Sequence, residues 1–203
     1  MYHWCYCFDV PVVREVVTEK GGVTVKIGIM GTHCSGKTTL ATEVSRRFGL
    51  PLIQEVAGLV PRERRKSVGA QIDIMFSQMK QELVRSAFVS DRTLIDNHAY
   101  YEYWASKSGT VSGLDANVDA FVRDYLKNEH YDWIFFVDEY FELEDDGQRD
   151  LDPDQQVWIY QYLKNEYNDL KRKDVYPYLN VAKLNGTTDE RLDQMAECIG
   201  WKV

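Results

Sequence analysis

The chain has 203 residues, and its 24 basic and 32 acidic side chains leave a formal charge of −8 with a pI near 5.1. That length suits one α/β domain rather than two, and a composition of 44% hydrophobic with 13% aromatic residues can fill a sizeable core, which excludes a mostly disordered chain. The acidic balance opposes nonspecific polyanion binding, so nucleic acid is an unfavoured partner, and no apolar run approaches the roughly 20 residues of a membrane span. The first residues lack the basic and apolar regions of a signal peptide, so a cytoplasmic location is expected. Cys5, Cys7, Cys34 and Cys198 are too few and too irregularly placed for a disulfide framework.

Residues 1–22 read as an N-terminal extension, with a strand signal from Val12 to Thr18, and residues 23–203 as a single domain. His3, Cys5 and Cys7 could be metal ligands, but an isolated Cys-x-Cys lacks the four-ligand spacing of a closed site. Val23 to Met30, rich in β-branched residues and ending at Gly31, is a buried strand. A helix follows from Gly36 to Phe48 and is stopped by Gly49-Leu50-Pro51. Leu52 to Gln54 is a short strand, Pro61 to Lys66 a helical stretch and Ala70 to Ser86 a longer helix. Phe88 to Asp91 is a third strand, and helices are expected from Leu94 to Ser106 and from Asp115 to Asn128. Trp133 to Val137 is the fourth strand. An acidic stretch from Glu139 to Asp154 then leads into a helix ending near Lys173, a strand from Leu179 to Leu184 and a helix from Thr188 to Cys198. Such alternation predicts an α/β fold, a parallel sheet with helices on both faces. Asn185-Gly186 then opens a strand-to-helix loop rather than a hairpin.

Gly31-Thr32-His33-Cys34-Ser35-Gly36-Lys37-Thr38 matches the phosphate-loop pattern G-x-x-x-x-G-K-[ST] without a mismatch, between a strand signal and a helix signal. The glycines let backbone N–H groups turn inward around phosphates, and the helix adds its positive end. Residues 31–38 with Thr39 therefore form the expected nucleotide cradle. Lys37 is assigned to the β- and γ-phosphates and Thr38 to Mg²⁺. Cys34, at a helix N-terminus beside Lys37, is either an oxidation-sensitive thiol or a loop filler.

A phosphate loop does not say what becomes of the γ-phosphate. Neither the guanine-reading Asn-Lys-x-Asp nor a switch Asp-x-x-Gly is present, which removes signalling GTPases and favours ATP. A motor-type ATPase would use an Asp-Glu after an apolar strand, and Ile134 to Glu139 has that form, so Asp138 competes for the metal. A kinase would use Asp91-Arg92, which sits where a strand meets a helix and faces the ligand in open sheets. Asp91 then serves the Mg²⁺ shell and Arg92 the acceptor or a phosphate, the alternative being a helix cap with a surface arginine.

The phosphate loop, Gln54-Glu55-Val56-Ala57, Phe76-Ser77-Gln78 with Glu82, Asp91-Arg92-Thr93 with Asp96-Asn97, and Asp145-Asp146-Gly147-Gln148-Arg149 together resemble the small P-loop kinases of the NadR type. These ribosylnicotinamide-kinase-like, AAA-domain proteins are similar to deoxynucleoside and thymidylate kinases, and the likeness runs over about residues 24–200. The resemblance implies a P-loop NTPase three-layer sandwich with strand order 2-3-1-4-5 and a lid around residues 139–154. It implies that Arg149 is the lid arginine that stabilises the transferring phosphoryl group. It also implies that Glu55 lies near the acceptor hydroxyl as a base, an alternative to capping the next helix, and that Gln78 reads a nucleobase edge, an alternative to an exposed glutamine. Arg62, Arg64, Arg65 and Lys66 are either a clamp for a phosphate on the acceptor or a solvated face. Tyr100, Tyr101, Tyr103 and Trp104 either stack on a base or pack in the core. The expectation is an ATP- and Mg²⁺-dependent kinase of a nucleoside, nucleotide or ribosyl compound, with room for a homodimer. A regulatory ATPase or a polynucleotide or DNA-base kinase is the alternative.

Overall fold

Apolar runs of four to five residues become strands only where both faces are covered, and here helices cover both. The computed structural model describes residues 24–109, 112–128, 130–141 and 152–201. In chain order the elements are β1 (Lys26–Met30), α1 (Lys37–Phe48), β2 (Leu52–Ile53), α2 (Val68–Leu83), β3 (Phe88–Asp91), α3 (Leu94–Ser108), α4 (Ser112–Lys127), β4 (Trp133–Val137), α5 (Pro153–Leu170), β5 (Asn180–Leu184) and α6 (Thr188–Ile199). Two short 3-10 helices, Val56–Leu59 and Arg62–Arg65, lie between β2 and α2. The five strands are all parallel, in the order β2-β3-β1-β4-β5, with Ile27 opposite Val89 on one side and Trp133 on the other. This is the three-layer α/β sandwich and the strand order expected.

Side chains alternate across the sheet and feed two cores. Ile27, Ile29, Phe135 and Val137 pack with Leu40 and Val44 of α1 and Leu192 and Met195 of α6. Met30, Ile134 and Phe136 pack on the opposite face with residues of α3, α4 and α5, among them Ile95, Val122 and Ile159. At the centre of the sheet, a Cβ on Gly28 would lie 2.5 Å from the Thr93 side chain and 3.2 Å from the Tyr131 ring, so only glycine lets α3 approach β1 this closely. No helix among the described residues is long and apolar enough to cross a membrane.

Most boundaries shift by a few residues for identifiable reasons. Helix α2 starts two residues before the expected Ala70 because the Ser67 hydroxyl accepts from the Ala70 N–H at 3.3 Å. It ends at Leu83 rather than Ser86. Helix α5 begins at Pro153, capped by Asp152, whose carboxylate accepts from the N–H groups of Asp154 and Gln155. The acidic stretch therefore ends there and not at Asp154. Residues 142–151, which include Arg149 and most of the expected lid, and the extension 1–22 with His3, Cys5 and Cys7, lie outside the described residues.

Candidate active site

The phosphate loop joins β1 to α1, and its shape follows from two left-handed residues. Gly36 has φ 82°, and a Cβ there would sit 3.1 Å from the Arg191 guanidinium; Cys34 has φ 56°. The loop is held from four sides. The Gly31 N–H donates to Asp96 Oδ1 at 3.0 Å, while Asp96 Oδ2 accepts from the Thr93 N–H and hydroxyl, both at 2.7 Å, closing the capping box of α3. The Phe141 N–H donates to the Cys34 carbonyl at 2.8 Å, and the Gln156 amide donates to the His33 carbonyl at 3.1 Å. Arg191 of α6, only 2% exposed, donates to the Ser35 carbonyl at 2.7 Å and pairs with Glu139 at 3.0 Å.

Lys37 is buried, donating to the Thr32 carbonyl and to Ser35 Oγ. Burial lowers its ammonium pKa to about 8, Arg92 adding to the shift while Asp96 and Asp91 oppose it. A polyanion arriving beside Lys37 would restore the full charge.

A cavity of about 660 Å³ opens over this loop, within the range of small-molecule sites. On one side it is lined by residues 33–39, so His33, Cys34, Ser35, Gly36, Lys37, Thr38 and Thr39 face it as expected. Gly31 and Thr32 do not line it; they form the base of the loop. The same lining includes Glu55, Arg62, Arg65 and Lys66 from the segment after β2, and Asp91, Arg92, Asn97, Tyr100 and Trp104 from β3 and α3. Of the expected site residues that are described, all but Gly31, Thr32 and Gln78 line this one cavity, and Arg149 lies outside the described residues.

Asp91 ends β3 and is 2% exposed, yet its Oδ1 meets no donor. Burial raises its carboxyl pKa, with Lys37 and the Thr38 hydroxyl partly offsetting this. An orphaned carboxylate oxygen beside a threonine hydroxyl at a phosphate loop is a donor set that fits Mg²⁺. Asp138, the competing acid, is taken up elsewhere. It accepts from Tyr160 at 2.9 Å, pairs with Lys183 at 2.6 Å, and does not line the cavity.

Arg92 has φ 92°, unusual for a residue other than glycine and consistent with a conformation imposed by its surroundings. Its N–H donates to Ile29 O at 3.2 Å and its carbonyl accepts from the Gln78 amide at 3.4 Å. The side chain stacks over the Tyr100 ring, 4.8 Å to the centroid, and Nε lies 2.8 Å from Glu55 Oε1 as an ion pair rather than a well-aligned hydrogen bond. Burial alone would raise the Glu55 carboxyl, but the charges of Arg92 and Lys37 outweigh it and hold it below the usual range. Arg92 Nη1 and Asn97 Nδ2, both buried, face no acceptor.

Gln78 corrects an expectation. It is 1% exposed and absent from the cavity wall, and its amide is spent inside the protein on Glu82 Oε1, Ser90 Oγ and the Arg92 carbonyl. The Glu82 carboxylate it meets also accepts from Tyr125 and Tyr131, and Tyr131 in turn accepts from the Leu94 N–H. Gln78 thus braces the β3–α3 junction from behind. Two turns earlier on α2, Gln71 lines the cavity and donates to Arg65 O at 2.6 Å. The aromatic run divides by helix face: Tyr100 and Trp104, four residues apart, line the cavity, while Tyr101 and Tyr103 are buried in the core.

Sequence reasoning also missed Arg191, Gln156 and Gln155. Nothing in a lone arginine on α6 announces a phosphate-loop contact.

Residues 26–191 match the model of a family described as an AAA domain. No curated protein matches the sequence. Among solved structures the fold is similar to deoxyadenosine kinase from M. mycoides with products dCMP and a flexible dCDP bound, at 14% identity and a TM-score of 0.63, covering 86% of this chain and 98% of that one. It is similar to NadR protein in complex with NAD and AMP-PNP, at 17% identity and a TM-score of 0.58 over 89% of this chain and 51% of that one. Thymidylate kinase from Candida albicans gives 18% identity and a TM-score of 0.56, covering 87% and 91%. Two of these three neighbours are named as kinases, and at such identities the likeness is one of fold.

Proposed function

With the premise that the chain belongs to the AAA-domain family, whose model spans residues 26–191, we propose that it is an ATP- and Mg²⁺-dependent phosphotransferase acting on a nucleoside, a nucleotide or a related ribosyl compound. The observation that carries this reading is the single cavity that joins the phosphate loop to the wall bearing Glu55, Arg62 and Arg92, leaving space for a second small molecule beside the triphosphate.

Phosphoryl transfer asks mainly for alignment and for positive charge on the moving group. Loop N–H groups and Lys37 hold the β- and γ-phosphates. Thr38 and Asp91 would hold Mg²⁺, which when bound neutralises phosphate charge. An acceptor oxygen attacks the γ-phosphorus, the bond to the β-phosphate oxygen breaks, ADP leaves, and the acceptor proton passes to Glu55 or to water. Glu55, kept ionised by Arg92, is a weak base. It suits a loose transition state, in which the hydroxyl needs orientation more than early deprotonation. Arg149 belongs to the proposal as the arginine that completes the charge over the transferring group.

The test is ADP formation from ATP and Mg²⁺ with a panel of nucleosides and nucleoside monophosphates. ADP that appears only when an acceptor is present supports the reading. ADP that appears at one rate with or without acceptors overturns it in favour of an ATPase.

A further inference from the structure

Consecutive carbonyls of the phosphate loop, from Thr32 to Gly36, each accept a hydrogen bond from the protein. Lys37 Nζ donates to Thr32 O, the Gln156 amide to His33 O at 3.1 Å and the Phe141 N–H to Cys34 O at 2.8 Å. Arg191 Nη1 donates to Ser35 O at 2.7 Å and the Leu40 N–H to Gly36 O at 3.0 Å. No peptide bond among the described residues is cis, so a carbonyl held in one direction turns the N–H of the next residue the other way. The residues that carry those N–H groups, 33–37, all line the cavity. The loop is thus shaped through its carbonyls, plane by plane, by donors that belong to the protein.

These donors differ in kind. Leu40 is part of α1, and Lys37 lines the cavity, where a phosphate would draw its ammonium away from Thr32. Phe141 follows β4, Gln156 lies in the first turn of α5 and Arg191 on α6. Neither Gln156 nor Arg191 lines the cavity, so both reach the loop from outside it.

Gln156 carries the largest share. It is 4% exposed, and its single Nε2 donates both to His33 O and, at 3.2 Å, to Phe141 O, while its backbone carbonyl accepts from the Thr32 hydroxyl at 3.4 Å. It therefore fixes the His33 carbonyl directly and the Cys34 carbonyl through Phe141, two successive peptide planes. Two N–H bonds on one uncharged nitrogen are found only in glutamine and asparagine side chains, and asparagine is a carbon shorter.

We propose that Gln156 is a positioning residue for phosphoryl transfer, holding two planes of the phosphate loop so that a polyphosphate meets amides already aimed and has none to reorient. The proposal deepens the phosphotransferase reading and rests on it for the kinetic half of its test.

Calorimetry measures the affinity of the full chain for inorganic tripolyphosphate, a probe without base or ribose, and steady-state kinetics with ATP, Mg²⁺ and an acceptor measure kcat and both KM values. Gln156→Met keeps the length and removes the donors; it should weaken tripolyphosphate by about tenfold, lower kcat/KM for ATP at least as far, and leave acceptor KM within about twofold. Gln156→Glu sets a carboxylate against two carbonyl oxygens and should do worse at about pH 8. Burial raises that carboxyl's pKa and its protonated form regains one O–H donor. Its deficit relative to the parent chain should therefore shrink severalfold as pH falls from about 8 to about 5.5, while the deficit of Gln156→Met stays constant. Should Gln156→Glu fail to fold, Gln156→Met alone decides. Tripolyphosphate held equally by the parent chain and Gln156→Met, an acceptor KM that rises as far as that of ATP, or a Gln156→Glu deficit indifferent to pH overturns this inference while the phosphotransferase reading stands. ADP formed at one rate with or without acceptors overturns that reading, and tripolyphosphate affinity still decides the role of Gln156.

Discussion

The two walls of the cavity present charge to a ligand by different means. The phosphate wall is backbone, a loop whose amides are aimed by Gly36 and Cys34 in left-handed conformations and fixed by Asp96, Arg191, Gln156 and the Phe141 N–H. The wall proposed for the acceptor is side chain: guanidinium groups on a one-turn 3-10 helix, tied down through Gln71 and Ser67. A backbone site recognises what every triphosphate shares, whereas a side-chain site recognises what one acceptor has. Substitutions on the first wall should therefore disturb ATP and the rate, and those on the second the acceptor alone.

The sharpest break between the walls is Lys37→Ala, which should lower turnover by about 10²–10³-fold at saturating acceptor, read by coupled ADP release, with acceptor KM little changed. An equal loss in acceptor binding would mean that the two walls are not independent. The same side chain gives a pH test. Its folded pKa of about 8 lies below the ordinary 10.5, so between those values the unfolded chain binds the proton and the folded chain does not. Stability of the nucleotide-free protein should therefore gain from Lys37 as pH rises from about 8 to 10.5. ATP affinity should fall over the same interval by roughly up to tenfold per unit, because the triphosphate needs the ammonium form. Calorimetric titration at several pH values reads both the affinity and the accompanying proton uptake. Arg191→Ala removes the charged donor beneath Ser35 and should weaken ATP binding by about tenfold, leaving acceptor KM unchanged. The smallest effect is expected at the other wall. Ser67→Ala, which removes the cap of α2, should cost about 1 kcal/mol in urea unfolding and raise acceptor KM slightly while ATP affinity holds.

The same contrast explains what was legible beforehand. The phosphate loop is written in contiguous residues, since glycine, lysine and threonine must fall at fixed spacing for amides and charge to meet one anion. The sheet order followed from family resemblance, and the strand positions from β-branched runs such as Phe88 to Asp91 and Trp133 to Val137, both realised without a shift. The expectation favoured Asp91 for the metal but local pattern left Asp138 open, because one acid ends an apolar strand and the other directly follows one. The difference is tertiary: Lys183 and Tyr160 reach one and leave the other. Gln78 misled for a related reason, as its amide faces inward to Glu82, and helix periodicity does not say which neighbour a buried polar group will find. Arg191 and Gln156, each more than a hundred positions away from the loop they hold, had no local signature at all.

Asp96 bonds the entry of the phosphate loop with one carboxylate oxygen and the cap of α3 with the other, three residues after Thr93. The nucleotide seat and the strand end bearing Asp91 are thus riveted into one piece. Crystals grown without nucleotide should tolerate soaking at this spot, and a redesign toward a different donor base would find its freedom in the surrounding loops, not here.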